Sequence, residues 1–425
     1  MQIQELYSLF LAHPSLQTDT RKLQPGDLFF ALKGPNFNGN QFAKQALEAG
    51  AAYVVIDEPV NFTDERLVST DNALTTLQQL AKYHRTQFDI PFIAITGSNG
   101  KTTTKELIHE VLSSTYITYT TKGNLNNHIG IPLTILSVKK DAEIAVIEMG
   151  ANHQKEIESY CAYTLPTHGI ITNCGKAHLE GFGGQEGVRK GKGELYDYLR
   201  ANNGTVFLMN DYDYLLEMSK GITNIKTYGT SNADIVGVTD NNTAMLEVIM
   251  QKGSSIQHIK TQLVGSYNLP NVLAAVAVGK NFNVPDEKIK SSLENYAPSN
   301  SRSQLIEKDS NKIILDAYNA NPTSMKAAIE NFAKMEGADK ILLLGGMMEM
   351  GPESVKEHAG IVELLNQYQW KNVVLVGGDF DKVNHSYINF KTSSEAGSWL
   401  KQQQVKNSLL LIKGSRSMQM EKVLE

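Results

Sequence analysis

The chain has 425 residues, a formal net charge of −5 and 20% charged residues. This length exceeds what one hydrophobic core usually holds, so we expect two or three domains. The charge balance excludes a basic nucleic-acid surface, and neither a signal peptide nor an apolar run near the roughly 18 residues of a membrane span is found, so we expect a cytoplasmic protein with small-molecule partners and no nucleic-acid or membrane partner.

Residues 1–90 are predicted to form a small α/β domain. The apolar stretches Leu28–Leu32 and Tyr53–Ile56 indicate strands, and Ala73–His84 indicates a helix. Turns rich in Gly, Pro and Asn separate them. The only cysteines of the chain, Cys161 and Cys174, are too few for a disulfide framework and are predicted to be buried thiols.

A glycine-rich turn follows the next predicted strand, Ile90–Ile95, and precedes a helix over Glu106–Leu112. In TGSNGKTTTK, from Thr96, Gly97 and Gly100 permit backbone angles that other residues avoid. Lys101 supplies a charge for the outer phosphates and Thr102 a hydroxyl for magnesium, which predicts an ATP or GTP site. The loop is completed by Ser98, Asn99 and Thr103. The alternative is a simple turn before a lysine-rich helix.

Further strands at Ile144–Glu148, Gly169–Asn173 and Val206–Asn210 alternate with helical stretches and predict a mostly parallel sheet. Ligands of such sheets bind beyond the carboxyl ends of the strands. Glu148 lies at such an end, as a magnesium ligand or an ordinary strand-end acid.

Two further polar residues follow in this part of the chain. His178 comes after a turn of small residues and is either a cleft residue or a structural histidine. Lys192, in Lys-Gly-Lys-Gly-Glu from Lys190, is either a phosphate-binding lysine or part of a solvated basic patch.

A second alternating series predicts a Rossmann-like domain after a boundary at Tyr296–Ser301. Its strands are predicted at Ile313–Asp316, Ile341–Gly345, Val373–Gly377 and Leu409–Lys413. It has no GxGxxG sequence, so a dinucleotide is not implied. Asp316 ends the first of these strands and leads into Tyr-Asn-Ala-Asn-Pro from Tyr318, and Lys413 ends the last strand before Gly-Ser-Arg. These polar ends are either turns or parts of a site.

Several longer runs together resemble the Mur ligases over nearly the whole chain. They are TDTRKLQPGDLFFALKG from Thr18, TGSNGKTTTK from Thr96, GNLNNHIGIP from Gly123, EMGANHQKEI from Glu148, NCGKAHLEGFGG from Asn173, VRKGKGE from Val188, SYNLPNVLAA from Ser266, SRSQ from Ser301, DAYNANPTSMKAA from Asp316, GGMMEMGPES from Gly345 and KGSR from Lys413. The phosphate loop, Glu148, His178 and Lys192 mark the family in general. The Tyr-Asn-Ala-Asn-Pro, Glu-Met-Gly-Ala-Asn and Met-Glu-Met-Gly-Pro runs mark one branch of it.

The resemblance implies an α/β protein of three domains. They are a UDP-sugar-binding domain over 1–90, a P-loop parallel-sheet ATPase domain over 91–297, and a Rossmann-like ligase domain over 298–425 that binds a dipeptide and closes on ATP about a hinge at Tyr296–Ser301. The implied activity is ATP-dependent joining of D-alanyl-D-alanine to UDP-N-acetylmuramoyl-tripeptide through an acyl phosphate, and we expect a monomer. This is the last cytoplasmic peptide-adding step of peptidoglycan precursor synthesis.

The resemblance also implies roles for individual residues. Lys101 and Arg302 would contact phosphates. Thr102 and Glu148 would hold one magnesium ion, and His178 with a carbamylated Lys192 a second one, since a carbamate is an anionic ligand. Ligand contacts are implied for Asn271 (adenine), Asp316 (ribose), Tyr318, Asn319 and Asn321 (dipeptide), and Thr20, Arg21, Lys33 and Gly34 (uridine nucleotide).

Asn38 and Asn40 depart from the family pattern, since relatives commonly have an Asp and a His in this stretch. Two rival functions are a Mur-type ligase that adds the third residue of the stem peptide and, from another class, a P-loop phosphotransferase or nucleotide switch. Phosphate release that depends on an amine substrate would distinguish a ligase from the second rival.

Overall fold

The computed structural model describes residues 1–240, 245–298, 302–337 and 339–425. The first unit contains α1 (Ile3–Ala12), β1 (Leu16–Gln17), β2 (Leu28–Phe30), β3 (Lys33–Gly34), β4 (Phe37–Asn38), α2 (Ala43–Glu48), β5 (Tyr53–Ile56), β6 (Leu67–Ser69) and α3 (Ala73–Arg85). Its four-stranded sheet has the order β1-β2-β5-β6 and is parallel, and β3 and β4 form an antiparallel pair. The strand predicted at Leu28–Leu32 ends two residues earlier than expected.

The central unit is built on a nine-stranded sheet. Its elements are β7 (Phe92–Thr96), α4 (Lys101–Ser113), β8 (Thr118–Thr120), α5 (Gly130–Leu136), β9 (Ile144–Glu148), α6 (Glu156–Thr164), β10 (His168–Ile171), α7 (Leu179–Phe182), α8 (Gln185–Ala201), β11 (Thr205–Met209), α9 (Asp213–Met218), β12 (Asn224–Gly229), β13 (Ile235–Asp240), β14 (Met245–Lys252), β15 (His258–Val264), α10 (Leu269–Asn281) and α11 (Asp286–Asn295). The strand order is β15-β14-β13-β12-β11-β10-β7-β9-β8.

Most neighbouring strands of this sheet are parallel, as predicted, but β14 and β15 extend it as antiparallel strands. Side chains along β14 alternate between half-buried and buried, the pattern of a sheet with one partly solvated face. The strand predicted at Gly169–Asn173 runs from His168 to Ile171, so Asn173 lies in the loop beyond the strand end.

The last unit contains β16 (Gln304–Lys308), β17 (Asn311–Asp316), α12 (Pro322–Lys334), β18 (Lys340–Gly345), α13 (Ser354–Leu365), β19 (Asn372–Val376), β20 (Ile388–Phe390), α14 (Ser393–Gln402) and β21 (Leu409–Lys413). Its sheet has the order β16-β17-β21-β18-β19-β20, with only β16 antiparallel. Residues 299–301 of the predicted hinge lie outside the described residues.

Helix α3 joins the first unit to the central one. It packs against α1 on one side and against α5 and α6 on the other. Leu77 and Leu80 of this helix are fully buried and belong to the same apolar cluster as Phe10 of α1 and Ile135 of α5. The two units therefore share one apolar cluster, while Phe29, Val54 and Ile56 belong to a second cluster made only of first-unit residues.

Both cysteines are buried free thiols, as predicted. In the ranges that the structure describes, no helix combines the length and apolarity needed to cross a bilayer.

His168, at the start of β10, predicts an acid-sensitive stability. Burial beside Phe207 and Phe282 lowers the pKa of its imidazole from 6.5 to about 4. Between these values the unfolded chain binds a proton that the folded chain excludes, so the stabilising contribution is present above about pH 6.5 and is lost as the pH falls towards 4. The slope is at most about 1.4 kcal/mol per pH unit.

We therefore expect His168→Gln to lose less thermal stability than the parent protein between pH 7 and pH 5. The measurement is the unfolding midpoint of both proteins across this range. His258→Gln, at an exposed position of β15, is the matched control and should follow the parent protein. An unchanged slope in His168→Gln would refute the assignment.

Candidate functional site

The phosphate loop lies between the carboxyl end of β7 and the first turn of α4. Gly97 and Gly100 have φ angles of 141° and 81°, which favour glycine. A Cβ atom at Gly100 would lie 2.6 Å from Asn271 Oδ1, and one at Gly97 would overlap Thr172 Oγ1. Gly100 occupies the N-cap position of α4 and has no side chain that could cap the helix. The first backbone N–H groups of α4 are therefore available to bind an anion.

Lys101 folds over this loop. Its Nζ donates hydrogen bonds to Gly97 O (2.7 Å) and Ser98 O (3.2 Å). Burial lowers the pKa of the Lys101 ammonium, Glu148 opposes that shift and the positive charge of Arg302 adds to it. A cation held at the loop in this way is suited to the outer phosphates of a nucleotide.

Glu148, at the end of β9, is 2% exposed. Its Oε1 accepts hydrogen bonds from Thr102 Oγ1 (3.2 Å) and Asn126 Nδ2 (2.8 Å). Its Oε2 is buried and has no hydrogen-bond partner among the described residues. Since a buried carboxylate oxygen needs a partner, Oε2 and the Thr102 hydroxyl suit a hard divalent cation.

His178 has a φ of 54° and lies at the entrance of α7. Its Nδ1 is hydrogen-bonded to Oε2 of Glu349, which belongs to the last unit. This hydrogen bond is the largest cause of the lowered pKa of the Glu349 carboxyl. No group of three His, Cys, Asp or Glu side chains suited to a metal occurs within the described ranges.

Lys192 lies on the inner side of α8 and is 1% exposed, so the alternative of a solvated basic patch is wrong. Its Nζ donates to Ala151 O (2.9 Å) and lies 4.8 Å from the centre of the Phe182 ring. Burial, with a contribution from the Lys101 charge, lowers the pKa of Lys192 to about 7. A lysine with that pKa is partly neutral, and therefore nucleophilic, near pH 7.

The last unit presents three predicted residues to the same region. The Arg302 guanidinium lies 3.5 Å from the centre of the Tyr318 ring, a cation–π contact that orients the charge. Asp316, at the end of β17, accepts hydrogen bonds from Lys413 Nζ (2.5 Å) and Ser303 N (3.2 Å).

A cleft of about 1000 Å³ brings these groups from the central and last units together. The predicted residues that line it are Ser98, Asn99, Gly100, Lys101, Thr102, Thr103, Glu148, His178, Asn271, Arg302, Asp316, Tyr318, Asn319 and Lys413. Gly97, Lys192 and Asn321 do not line it. The Asn271 amide is tied to Thr104 Oγ1 (3.0 Å) and Asn268 Oδ1 (2.8 Å), so it lies at the cleft in a fixed orientation.

The two units meet directly beside the phosphate loop. Asn321 Nδ2 donates to Asn99 Oδ1 (2.7 Å), and Asn99 Nδ2 lies 3.4 Å from Asn321 Oδ1. Lys176 adds a backbone hydrogen bond to Thr323 Oγ1 (3.0 Å) and an ion pair with Glu357 (2.6 Å). The last unit is therefore in contact with the phosphate loop.

The four residues expected to hold a uridine nucleotide lie in the first unit and do not line this cleft. Thr20 and Arg21 form one 3₁₀ turn, in which Arg21 pairs with Asp19 (2.7 Å) and is largely exposed. Lys33 and Gly34 form β3, and Lys33 pairs with Asp57 (3.3 Å) and Glu58 (3.2 Å).

Asn38 and Asn40, which depart from the family pattern, face the same two carboxylates. Asn38 donates to Glu58 (2.6 Å) and Asn40 to Asp57 (2.8 Å). The two amides therefore help to fix the acidic pair beside Lys33.

Sequence reasoning missed several residues of the cleft. Asn126 donates a hydrogen bond to Glu148. The only sequence signal for Asn126 was its place in the run from Gly123. Tyr212 and Tyr214 stack with ring centres 5.5 Å apart beyond β11, and both line the cleft. The position of these residues after a strand end was the available signal.

Comparisons with known proteins agree across the chain. Residues 15–88 match the catalytic domain of the Mur ligase family, residues 95–279 the Mur ligase middle domain, and residues 301–416 the Mur ligase, glutamate ligase domain. The chain is 36% identical to the UDP-N-acetylmuramoyl-tripeptide–D-alanyl-D-alanine ligase of Bacillus subtilis, over 96% of this chain and 92% of that protein. It is 34% identical to the enzyme of the same name from Escherichia coli, over 99% of this chain and 95% of that one.

Solved structures give the same result. The structure of MurF from Acinetobacter baumannii matches with a TM-score of 0.89 and 29% identity, over 100% of this chain and 97% of that one. MurF ligase from Thermotoga maritima, solved in complex with ADP, matches with a TM-score of 0.88 and 26% identity, over 97% of both chains. By identity, coverage and fold, this chain belongs to the Mur ligase family.

Proposed function

We propose that this chain is an ATP-dependent ligase that joins D-alanyl-D-alanine to UDP-N-acetylmuramoyl-tripeptide and releases ADP and phosphate. Full-length relatives at 36% and 34% identity carry that activity in their names. The observation that carries the chemistry is the cleft in which Lys101 and Glu148 of the central unit face Arg302 and Asp316 of the last unit. A switch would not need that second set of residues.

The first step is activation of the tripeptide carboxylate, which is a poor electrophile. A carboxylate oxygen attacks the γ-phosphorus of ATP, the bond from that phosphorus to the β,γ-bridging oxygen breaks, and ADP leaves with the electron pair. Lys101 and Arg302, with the open N–H groups at the start of α4, spread the negative charge that develops on the phosphoryl oxygens. The product of this step is an acyl phosphate.

The binding of magnesium is supported by Glu148 and Thr102. The unpartnered Oε2 of Glu148 and the neighbouring hydroxyl form the hard-oxygen edge of a site beside the phosphate loop. A bound magnesium ion would supply charge neutralisation at the phosphates. Asn126 holds Glu148 in the orientation that this binding needs.

A second ion at His178 and a carbamylated Lys192 belongs to the same proposal. The lowered pKa of Lys192, about 7, leaves the neutral amine that carbon dioxide requires, and addition forms a carbamate with loss of a proton. The carbamate would also lengthen the side chain, which is relevant because the amine itself does not line the cleft.

The second step forms the amide. The neutral amino group of D-alanyl-D-alanine attacks the acyl carbon, and the tetrahedral oxyanion expels phosphate while the nitrogen loses a proton. Tyr318 and Asn319 at the cleft are the proposed dipeptide contacts. Closure of the last unit on the central one would exclude water, which would otherwise hydrolyse the acyl phosphate.

The remaining assignments rest on the resemblance of the sequence runs to those of the family. The first unit, with Thr20, Arg21, Lys33 and Gly34, would hold the uridine nucleotide, and the domain limits 1–90, 91–297 and 298–425 are proposed as the functional division. Asn271 and Asp316 would contact the adenosine. Because the reaction consumes ATP and a nucleotide-linked precursor, we place it in the cytoplasm, and the proposed active form is the monomer.

The test is phosphate release from Mg-ATP with UDP-N-acetylmuramoyl-tripeptide, with and without D-alanyl-D-alanine, while the peptide product is followed by mass. Release that requires the dipeptide and yields the pentapeptide is the expected result. Release that is indifferent to the dipeptide would favour a phosphotransferase or switch. Product formed only from a dipeptide precursor and a single amino acid would indicate the ligase that adds the third residue.

A further inference from the structure

The geometry points to a role for Asn321 and Asn99 beyond ligand binding. We propose that their paired amides fix the position of the last unit relative to the phosphate loop, which makes Asn321 a positioning residue for the ligation. This inference rests on the proposed function, because it concerns the closed arrangement in which ligation occurs.

The hydrogen-bond capacity of Asn321 is the first argument. Its Oδ1 accepts the Ser324 N–H (2.9 Å) as the N-cap of α12 and faces Asn99 Nδ2 at 3.4 Å. Its Nδ2 donates to Asn99 Oδ1 at 2.7 Å. An asparagine amide offers two donors and two acceptor sites, so one donor remains free. With the residue 3% exposed and outside the cleft lining, that donor has little access to a dipeptide.

Asn99 is the second argument, because the loop holds it firmly. Its backbone N–H donates to Asn173 Oδ1 (3.1 Å), and its carbonyl accepts from Thr172 Oγ1 (2.6 Å) and Asn173 Nδ2 (3.0 Å). These hydrogen bonds hold the Asn99 backbone in place, so the position of its side chain is also restricted. A movement of α12 away from the phosphate loop would therefore break the hydrogen bond between Asn321 and Asn99.

The neighbouring contacts lie at the same end of α12. Thr323 accepts the Lys176 N–H, and a Cβ at Gly175 would lie 3.0 Å from Thr323 Oγ1. Gly175 therefore packs closely against the first turn of α12. The amide pair thus lies within a closely packed contact between the central and last units.

The cap and the pairing can be separated by substitution. Asn321→Ser keeps a good N-cap oxygen, since Ser and Asn are similar as caps, but is too short to reach Asn99. Asn99→Ser removes the other half of the pair. Asn72→Ser is the matched control, because Asn72 caps α3 through Thr75 N (2.8 Å) in the first unit.

The experiment is a double-mutant cycle on kcat and on KM for each substrate, using Asn99→Ser, Asn321→Ser and the double variant of the full chain. A net hydrogen bond corresponds to about a three- to tenfold effect, so each single variant should lower kcat by about that factor. The double variant should be no worse than the worse single one within about twofold, because each residue acts through the other. Asn72→Ser should ligate like the parent protein.

If the kcat of the double variant fell by the product of the two single effects, the proposed pairing would be overturned. An Asn321→Ser defect confined to KM for the dipeptide would also overturn it and make Asn321 a dipeptide contact. Unfolding midpoints verify that each variant is folded, and should Asn321→Ser fail to fold, the kcat of Asn99→Ser still tests the pair, since an unchanged value contradicts it. Absence of ligation by the parent protein would refute the proposed function instead, which keeps the two failures distinct.

Discussion

Lys101→Ala should lower turnover by at least about a hundredfold, the loss typical of a removed electrostatic stabiliser of the transition state. The ammonium lies over the phosphate loop, hydrogen-bonded to Gly97 O and Ser98 O, which is the position proposed for contact with the outer phosphates of a nucleotide. Its positive charge stabilises the transition state most strongly, because negative charge then builds on the transferred phosphoryl group. The measurement is steady-state phosphate release with all three substrates saturating.

Lys220→Ala is the control for this variant. Lys220 is an exposed lysine of the central unit that pairs with Glu217 at the surface, so its removal should leave turnover unchanged. The unfolding midpoint of Lys101→Ala shows whether the loop has kept its structure. Turnover near that of the parent protein would overturn the assignment of this lysine.

Glu148→Gln should also cost at least about a hundredfold in turnover, with more magnesium needed for half-maximal rate. The amide has nearly the shape of the carboxylate and keeps an oxygen for Asn126, so the local structure should persist. It removes the negative charge from the buried, unpartnered oxygen position. A magnesium titration at saturating ATP measures both effects.

The matched substitution is Glu217→Gln at the surface, which removes the same charge far from the cleft and should alter neither quantity. If Glu148→Gln lost turnover with no change in the magnesium requirement, Glu148 would act on Lys101 and not on the metal. Full activity would refute both roles.

The parts of the site that the sequence predicted are those set by local structure. A strand, two glycines at positive φ and a Lys-Thr pair lie within the eleven residues from Phe92 to Thr102, so the phosphate loop follows from short-range rules. Glu148 was predicted because parallel strands bring their carboxyl ends to one edge. The antiparallel strands β14 and β15 were missed because β14 shows no polar–apolar alternation in its sequence, although its side chains alternate in burial.

Contacts between distant segments were not predictable in this way. The pairing of Asn99 with Asn321 spans 222 residues and depends on how two units meet. The residues around Lys192 left its burial open, because Lys-Gly-Lys-Gly-Glu also has the composition of a solvated turn. Its spacing from Val188 and Leu195, both fully buried on α8, was the overlooked signal of a helix face turned inward.

The position of α3, with one face on α1 and the other on α5 and α6, bears on how such chains can diverge. A unit with a self-contained core can be exchanged between relatives as a module, because its surface residues tolerate a new neighbour. The first unit has that freedom only in part: one of its apolar clusters consists of its own residues, but Leu77 and Leu80 of α3 share another cluster with Ile135 of the central unit. Recombination at residue 90 should therefore disturb the shared cluster, and a new first unit should require α3 and its partner helices to change together.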